Sequence, residues 1–279
     1  MGSAMAARLH GLGWSLAVRD IDARRERDAA ALGIAVCASS AELAERSDCV
    51  IVCVVDAVQT KTVLFGARGV MVTLAPGAAV MLCPTIAPDD TERFARQLAR
   101  RGVDCIDAPM SGGPARARDG TMSLMIACAD AVFERHRALV EALSSKVFRI
   151  GTKPGDGART KLVNNLLAGI NLAGACEAVA LAERLGLDAE RTLGVIEQSS
   201  GQSWIGSDRL RRAIAGDFAP RAHTTLLNKD THLALDAARA AGFDAPVGHA
   251  AGAAFARACE SGFAAMDDAS LLSLFRGKA

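Results

Sequence analysis

The sequence of 279 residues predicts an α/β domain followed by a domain made only of helices. Three observations lead to this fold class. Short apolar segments alternate with helical segments up to residue 153, which is typical of βαβ units. Beyond Gly155 the segments are helical and are separated by Gly and Pro. Between the two patterns, Ala, Leu, Ile and Val recur at helical spacing for roughly thirty residues. We therefore expect a doubly wound domain at residues 1–153 and an all-α domain at residues 154–279, joined by a long interdomain helix.

The first predicted elements are a helix at Met1–His10 and a strand at Ser15–Arg19. A doubly wound nucleotide-binding domain begins instead with a strand, a glycine-rich turn and a helix. In this sequence only Gly2 could stand for the last glycine of the G-x-G-x-x-G fingerprint of that turn. We therefore expect a Rossmann-like domain that lacks its first strand, because the natural chain starts further upstream or was shortened. A fold that never had this strand is the alternative.

The rest of the first domain alternates between helices and buried strands. The run Cys49–Val55 is almost entirely β-branched or Cys, which fits a strand buried on both faces of a parallel sheet. Ser39 precedes a helix that we expect it to cap. Ligands of such sheets bind at the carboxyl ends of the strands. The other predicted helices are Ala23–Ala31, Ala57–Phe65 and Ala87–Arg101, and the other strands are Ile34–Val36, Ala79–Cys83, Val103–Asp107, Thr121–Ala127 and Val147–Ile150.

Composition excludes several classes of function. The 32 Lys and Arg nearly balance the 31 Asp and Glu, so we expect neither nucleic acid nor a membrane surface as a partner. The sequence shows neither an uninterrupted apolar run of about 18 residues nor a secretory leader, which favours a cytoplasmic protein. The eight cysteines form no C-x-x-C pair and are interpreted as small buried residues in a reducing compartment. The five histidines have no ligand spacing, so we expect no metal site.

The long helix carries the first candidate pair of functional residues. Lys161 and Asn165 are four residues apart, so they share a helix face with Cβ atoms about 5–6 Å apart. Taken alone, the pair also fits an ordinary solvent-exposed face. The long helix and the apolar helical half favour a homodimer or homotetramer, and we expect Trp204 and Phe218 in the core.

Four motifs occur in the same order as in one known family. They are Met1-Gly-Ser-Ala-Met-Ala-Ala-Arg-Leu9, Asp107-Ala-Pro-Met-Ser-Gly-Gly113 followed by Asp119-Gly-Thr-Met122, Gly155-x-Gly157-x-x-x-Lys161-x-x-Asn164-Asn165, and Lys229-Asp230. Together they resemble the β-hydroxyacid dehydrogenases, the 3-hydroxyisobutyrate dehydrogenase-like family. Residues 54–66 and 202–204 are most similar to its L-threonate dehydrogenase branch. That branch has His-Gln where this sequence has Asn164-Asn165.

The resemblance implies an NAD(P)-dependent oxidoreductase. Such an enzyme interconverts a small 3-hydroxy acid, of the 3-hydroxyisobutyrate, L-threonate or glycerate type, and its semialdehyde or keto acid. Two alternatives stay open. One is an imine-reducing relative on the same scaffold, which the presence of Lys161 disfavours. The other is a nucleotide-binding protein with impaired catalysis, which the incomplete first turn favours.

The resemblance also implies roles for the residues of two motifs. Ser111, Gly112 and Gly113 would anchor the substrate carboxylate, because glycines let backbone N–H groups converge on an anion. Lys161 would be the general acid and base for the substrate hydroxyl. Asn165 would orient Lys161 and the hydroxyl without adding charge.

The resemblance also implies further contacts to the substrate and the cofactor. Thr85, after a predicted strand, would contact the nicotinamide or the substrate. Arg116 stands where many members have glycine, and it suits a polyhydroxylated or more acidic substrate. Lys229 would reach the cofactor from the helical domain.

The cofactor itself is expected to be NAD, with NADP possible. Gly2 and Met5 belong to the turn-and-helix motif, and Val55 and Asp56 would pass close to the adenosine, although Asp56 is equally well placed to cap a helix.

Asp20 determines the expected cofactor preference. A carboxylate at the end of this strand accepts hydrogen bonds from the ribose hydroxyls and repels a 2′-phosphate, which favours NAD. Arg19, Arg24 and Arg25 are close enough in sequence to invert this preference.

Overall fold

The computed structural model describes residues 1–277 and divides into two compact units, Met1–Lys161 and Leu162–Ala279. The helices of the first unit are α1 (Gly2–Gly11), α2 (Ala23–Ala31), α3 (Ser40–Glu45), α4 (Ala57–Phe65), α5 (Pro88–Ala99), α6 (Gly113–Asp119) and α7 (Asp130–Leu143). Its strands are β1 (Ala17–Val18), β2 (Ala35–Val36), β3 (Cys49–Val52), β4 (Ala79–Leu82), β5 (Asp104–Asp107), β6 (Met110–Ser111), β7 (Ser123–Ala127) and β8 (Lys146–Gly151).

The long helix α8 (Asp156–Arg184) begins in the first unit and continues into the second. The remaining helices of the second unit are α9 (Ala189–Glu197), α10 (Trp204–Ile214), α11 (Thr224–Ala240), α12 (Pro246–Ala258) and α13 (Leu271–Phe275). The α/β class of the first unit and the helical character of the second are therefore confirmed.

The main sheet is mixed, whereas the sequence predicted a parallel one. Its order is β3-β4-β5-β7-β6, with β8 also paired to β7. Strands β3, β4 and β5 are parallel, but β7 runs antiparallel to β5 and to β6. The reason is a short strand and helix, β6 and α6, between β5 and β7, which the sequence analysis missed together with α7. Strand β7 is buried on both faces, and this makes its sequence almost continuously apolar, as expected of a parallel strand, although it is antiparallel to β5 and β6. Strands β1 and β2 form a separate parallel pair.

Both faces of the main sheet are covered by helices, as in a doubly wound fold. One apolar cluster joins α1 and α7 to the sheet through residues such as Met5, Ile126 and Leu143. The cluster on the other face includes Leu82 of β4 and Phe94 of α5. All four residues of β4 are buried, which explains their apolar character.

Helix starts follow the predicted capping chemistry. Ser39 Oγ accepts a hydrogen bond of 3.1 Å from the N–H of Glu42, whose carboxylate reaches back to the N–H of Ala38. This is a reciprocal cap close to the capping box. Asp56 caps α4 by accepting from the N–H of Gln59 at 2.8 Å, so the helix-cap interpretation of this residue holds.

The second unit has its own apolar core around Leu172 of α8 and Phe255 of α12. Phe218 packs against this core as predicted, but Trp204 does not belong to it: 45% of Trp204 is exposed at the start of α10. Among residues 1–277, α8 is the one helix long and apolar enough to cross a membrane, and 44% of its apolar window is buried. Core helices of soluble proteins pass the same test, so this property alone is weak evidence for a membrane span.

Candidate active site

The turn after β6 contains two consecutive glycines with positive φ angles. Gly112 has φ of 123° and Gly113 has φ of 76°, a region that favours glycine. A Cβ atom at Gly112 would lie 2.8 Å from Cδ of Arg116, so the stem of Arg116 covers this glycine. Ser111 is held in register by pairing with Ser123 of β7. The structure thus brings the four predicted substrate-binding residues of this segment together.

Lys161 and Asn165 are both buried on α8, with 7% and 8% of their surfaces exposed. A lysine is among the residue types that are almost never fully buried without a partner. The alternative in which this pair belongs to a solvent-exposed helix face is therefore wrong. The spacing of one helical turn places both side chains on the same side of α8.

A chain of polar contacts fixes the amide of Asn165 in the second unit. Its Nδ2 donates to Asp230 Oδ2 at 2.6 Å, and its Oδ1 accepts from Asn164 Nδ2 at 3.0 Å. The other oxygen of Asp230 lies 2.8 Å from Nζ of Lys229. Asp230 itself is buried. The sequence indicated Asp230 only as the second member of a Lys-Asp motif, without a role.

Asp107 is a second buried acid to which the sequence analysis gave no role. It is the last residue of β5 and only 1% of it is exposed. Its Oδ2 accepts hydrogen bonds from the N–H groups of Gly155 at 2.7 Å and Ala158 at 3.0 Å. Burial raises the pKa of Asp107 to about 6, against the effect of these backbone hydrogen bonds, which lower it. The available sequence signal was an acidic residue at the end of a predicted strand.

The predicted cofactor residues of the first unit lie in different environments. Gly2 opens α1, a helix whose N-terminus has no side-chain cap, and a Cβ atom at Gly2 would lie 3.5 Å from Cβ of Cys53. Met5 is buried in the core, so it supports α1 from within. Val55 is exposed directly before the α4 cap, and Thr85 is half-buried shortly after β4.

Asp20 lies exposed two residues after β1, and nearby arginines are engaged by other acids. Its Oδ1 accepts from the N–H of Asp22 at 2.9 Å. Arg19 forms an ion pair of 2.6 Å with Glu26, and Arg24 forms one of 3.1 Å with Asp22.

Comparison with known proteins covers nearly the whole chain. Residues 1–151 match the family described as the NAD binding domain of 6-phosphogluconate dehydrogenase. Residues 155–275 match the family described as NAD-binding of NADP-dependent 3-hydroxyisobutyrate dehydrogenase. The chain is 36% identical to an L-threonate dehydrogenase of Escherichia coli O6:H1 (strain CFT073) over 99% of its own length and 91% of that protein. The crystal structure of a 3-hydroxyisobutyrate dehydrogenase from Salmonella typhimurium superposes with a TM-score of 0.92 at 32% identity, covering 98% of this chain and 95% of that one.

The chain belongs to the 3-hydroxyisobutyrate dehydrogenase-like family of β-hydroxyacid dehydrogenases.

Membership in this family confirms the enzyme class predicted from the four motifs. The protein is an NAD(P)-dependent 3-hydroxyacid dehydrogenase with a Rossmann-like first domain. An imine reductase from Myxococcus stipitatus, in a variant with bound NAD+, has the same fold with a TM-score of 0.66 at 20% identity, covering 99% of this chain and 95% of that one. At that identity the similarity concerns the fold alone.

The residues of this dehydrogenase fit a dinucleotide. The N-terminus of α1 has no side-chain cap, and a helix N-terminus favours the negative charge of a pyrophosphate. Gly2 leaves the start of this helix without a side chain. Asp20 places a carboxylate just beyond the carboxyl end of β1, where it would accept hydrogen bonds from the hydroxyl groups of a ribose.

Proposed function

We propose that this dehydrogenase oxidises a small polyhydroxylated 3-hydroxy acid of the L-threonate type and prefers NAD. The substrate class is supported by the 36% identity to an enzyme named L-threonate dehydrogenase. Arg116, whose stem lies over the Ser111–Gly113 turn, adds a positive charge that suits an acid with several hydroxyl groups. The observation that carries the catalytic part is the burial of Lys161 beside Asn165 on α8.

In this proposal Lys161 is the general base that removes the proton of the substrate hydroxyl, and the general acid in the reverse direction. A positioned lysine amine is one of the groups that perform such proton transfers. Asn165 orients the hydroxyl through an amide that has both donor and acceptor atoms. A bound NAD(P) would supply the hydride acceptor for the carbon that carries the hydroxyl.

The substrate carboxylate is assigned to Ser111, Gly112 and Gly113. The positive φ angles of the two glycines support this assignment, because consecutive N–H groups in such a turn can converge on an anion, and the Ser111 hydroxyl would add a donor. Thr85 would contact the nicotinamide or the substrate, from a position after β4 where ligands of α/β sheets bind.

Cofactor binding is assigned to Gly2, Asp20, Val55, Asp56, Thr85 and Lys229, whereas Met5, buried in the apolar core, would support α1 from within. The preference for NAD is supported by Asp20 and by the ion pairs of Arg19 and Arg24, which direct both guanidinium groups to protein carboxylates. The dinucleotide domain would comprise residues 1–153, and residues 154–279 would serve substrate binding and oligomerisation.

The function is tested by steady-state reduction of NAD and NADP with a panel of acids. The panel contains L-threonate, D-glycerate, 3-hydroxyisobutyrate and L-serine. We expect turnover with NAD and the highest kcat/KM for L-threonate. Turnover restricted to 3-hydroxyisobutyrate would contradict the substrate class, and turnover of none of the four, with NAD bound, would favour the catalytically impaired alternative. Reduction of a cyclic imine without any acid oxidation would favour the imine-reducing alternative.

We also propose that the protein is a homodimer or homotetramer in the cytoplasm. Val163, Leu167 and Leu181 of α8 are more than half exposed in the single chain, so one side of this helix is apolar and open to a second copy. The cysteines of the described residues are free, which suits a reducing compartment. Sedimentation velocity should give a dimer or larger species, and Leu167→Glu should shift it toward the monomer. Flotation of the wild type with liposomes would point instead to a lipid surface.

A further inference from the structure

Asp107 is buried beside the proposed site, and neither the anchoring nor the proton transfer proposed above uses it. We propose that Asp107 is a positioning residue for Lys161, because its carboxylate fixes the first turn of α8 to the carboxyl end of β5. The inference rests on the proposed role of Lys161 in catalysis.

Helix α8 begins without a side-chain cap from the residue before it. The first N–H groups of a helix have no partner within the helix and are usually capped by a side chain just before it. The residue before α8 is Gly155, which has no side chain. Asp107, 48 residues earlier, supplies the missing acceptor to Gly155 and Ala158 through one oxygen. A negative charge at this end also matches the helix dipole.

Two glycines, Gly155 and Gly157, stand two residues apart at the start of α8. A Cβ atom at Gly157 would lie 2.7 Å from the carbonyl oxygen of Met125 in β7 and 3.0 Å from Cγ of Asp107. Gly155 has φ of 108°, a conformation that side chains disfavour. Gly157 therefore lets the backbone of α8 lie directly against β7 and the Asp107 carboxylate, and Gly155 adopts the backbone conformation that leads into the helix. This explains the G-x-G pattern by helix docking, without a phosphate.

The strands that contact the first turn of α8 also hold the proposed carboxylate anchor. Strand β7 pairs with Ser111, and the N–H of Met125 donates to the carbonyl of Pro109 at 3.0 Å. Asp107 lies four residues before Ser111 in sequence, and Lys161 lies three residues after Ala158 in α8. A shift of the first turn of α8 would therefore move Lys161 relative to the Ser111 turn, since both are tied to β5 and β7.

The experiment compares Asp107→Ala with Asp107→Asn in the full-length enzyme, using Asp188→Ala as the matched control. Asp188 caps α9 through the N–H of Arg191 at 2.7 Å, so its loss removes an ordinary helix cap. We expect Asp107→Ala to lower kcat by about 10- to 100-fold, the scale of a small misplacement of a catalytic group. The Kd for NAD should stay within about twofold, and Asp107→Asn should recover most of kcat because its amide oxygen still accepts. Asp188→Ala should retain the wild-type kcat.

Amide hydrogen exchange provides a readout that does not depend on turnover. In Asp107→Ala the amides of Gly155 and Ala158 should exchange at least about tenfold faster, while the Arg191 amide stays protected. Asp188→Ala should show the reverse pattern. Unchanged exchange at Gly155 and Ala158 would overturn the inference, and so would faster exchange with a wild-type kcat or a parallel loss of NAD binding.

Gly157→Ala is the second variant in case Asp107→Ala does not fold. It keeps the carboxylate but pushes α8 away from β7, so kcat should fall with little change in the Kd for NAD. A wild-type kcat in this variant would overturn the inference.

Failure of the proposed function would give a different result. In that case the wild type would turn over no acid, or Lys161→Ala would be as active as the wild type. In that case the exchange pattern still decides whether Asp107 fixes α8.

Discussion

Asn165 donates a hydrogen bond of 2.6 Å to Asp230, which lies 65 residues later in the chain. Because the amide nitrogen is directed to the carboxylate, Oδ1 of Asn165 faces away from Asp230 and accepts from Asn164. The same carboxylate forms an ion pair with Lys229. One buried acid therefore orients both a proposed catalytic amide and a proposed cofactor-binding amine.

Replacing Asp230 with Ala should lower kcat by about tenfold, which corresponds to roughly 1.4 kcal/mol in the activation barrier. The amide of Asn165 and the amine of Lys229 would both lose the group that orients them. Steady-state kinetics with the best acid of the panel measures the effect. Asp236→Ala is the matched control, because Asp236 is an exposed acid of the same helix, paired only with Arg239 in the described contacts. Equal kcat values in the two variants would rule out an orienting role for Asp230.

Removing the amine of Lys161 should abolish most of the catalysis. We expect Lys161→Ala to lower kcat by at least about 100-fold, the usual scale of general acid–base catalysis, while NAD still binds. Lys161→Arg should be equally slow, because a guanidinium keeps the charge but does not release its proton. Rapid-quench or steady-state assays check this, with the exposed Lys146→Ala as the control. An active Lys161→Arg enzyme would show that the positive charge, and not proton transfer, is what the reaction needs.

Much of the first unit could be predicted because local chemistry marks its boundaries. Helices α2 and α4 have the predicted limits, Ala23–Ala31 and Ala57–Phe65, since an aspartate caps the start of each. The direction of β7 could not be predicted, because this antiparallel strand is buried on both faces and so has the apolar sequence of a parallel one.

Only part of the candidate site could be predicted from the sequence. Lys161 and Asn165 became candidates through the resemblance of their motif to a known family and not through their spacing alone, and their burial depends on packing that no local pattern encodes. The role of Asp107 could not be predicted, because its partners are backbone N–H groups 48 and 51 residues away. A backbone donor has no sequence signature, although Gly155 and Gly157 marked the place where the backbone had to come close.

Cofactor choice should depend on Asp20. We expect Asp20→Ala to raise the ratio of kcat/KM for NADP to that for NAD by about tenfold, because the carboxylate no longer repels the 2′-phosphate. Parallel assays with the two cofactors at saturating acid measure this ratio. Asp28→Ala, which removes an exposed acid from the neighbouring α2, should leave the ratio unchanged. If both variants change it equally, the general charge of this surface, and not Asp20, sets the preference.

The ionisation of Asp107 should also make the free energy of unfolding depend on pH. Its pKa rises from 3.8 to about 6 on folding, mainly through burial, with a smaller contribution from the Asp156 carboxylate. Between these two values the native state holds a proton that the unfolded state has released, so this group makes the wild type less stable as pH rises from about 4 to about 6. The neighbouring thiols of Cys83 and Cys105 have pKa values raised well above 9.0 by burial, so they do not titrate in this window. Asp107→Asn cannot ionise, so its free energy of unfolding relative to wild type should rise by about 2.4 kcal/mol between pH 4 and pH 7. Urea unfolding at several pH values measures the difference, with the exposed Asp244→Asn expected to show no such trend. A constant difference across this range would mean that Asp107 is already ionised at low pH in the folded protein.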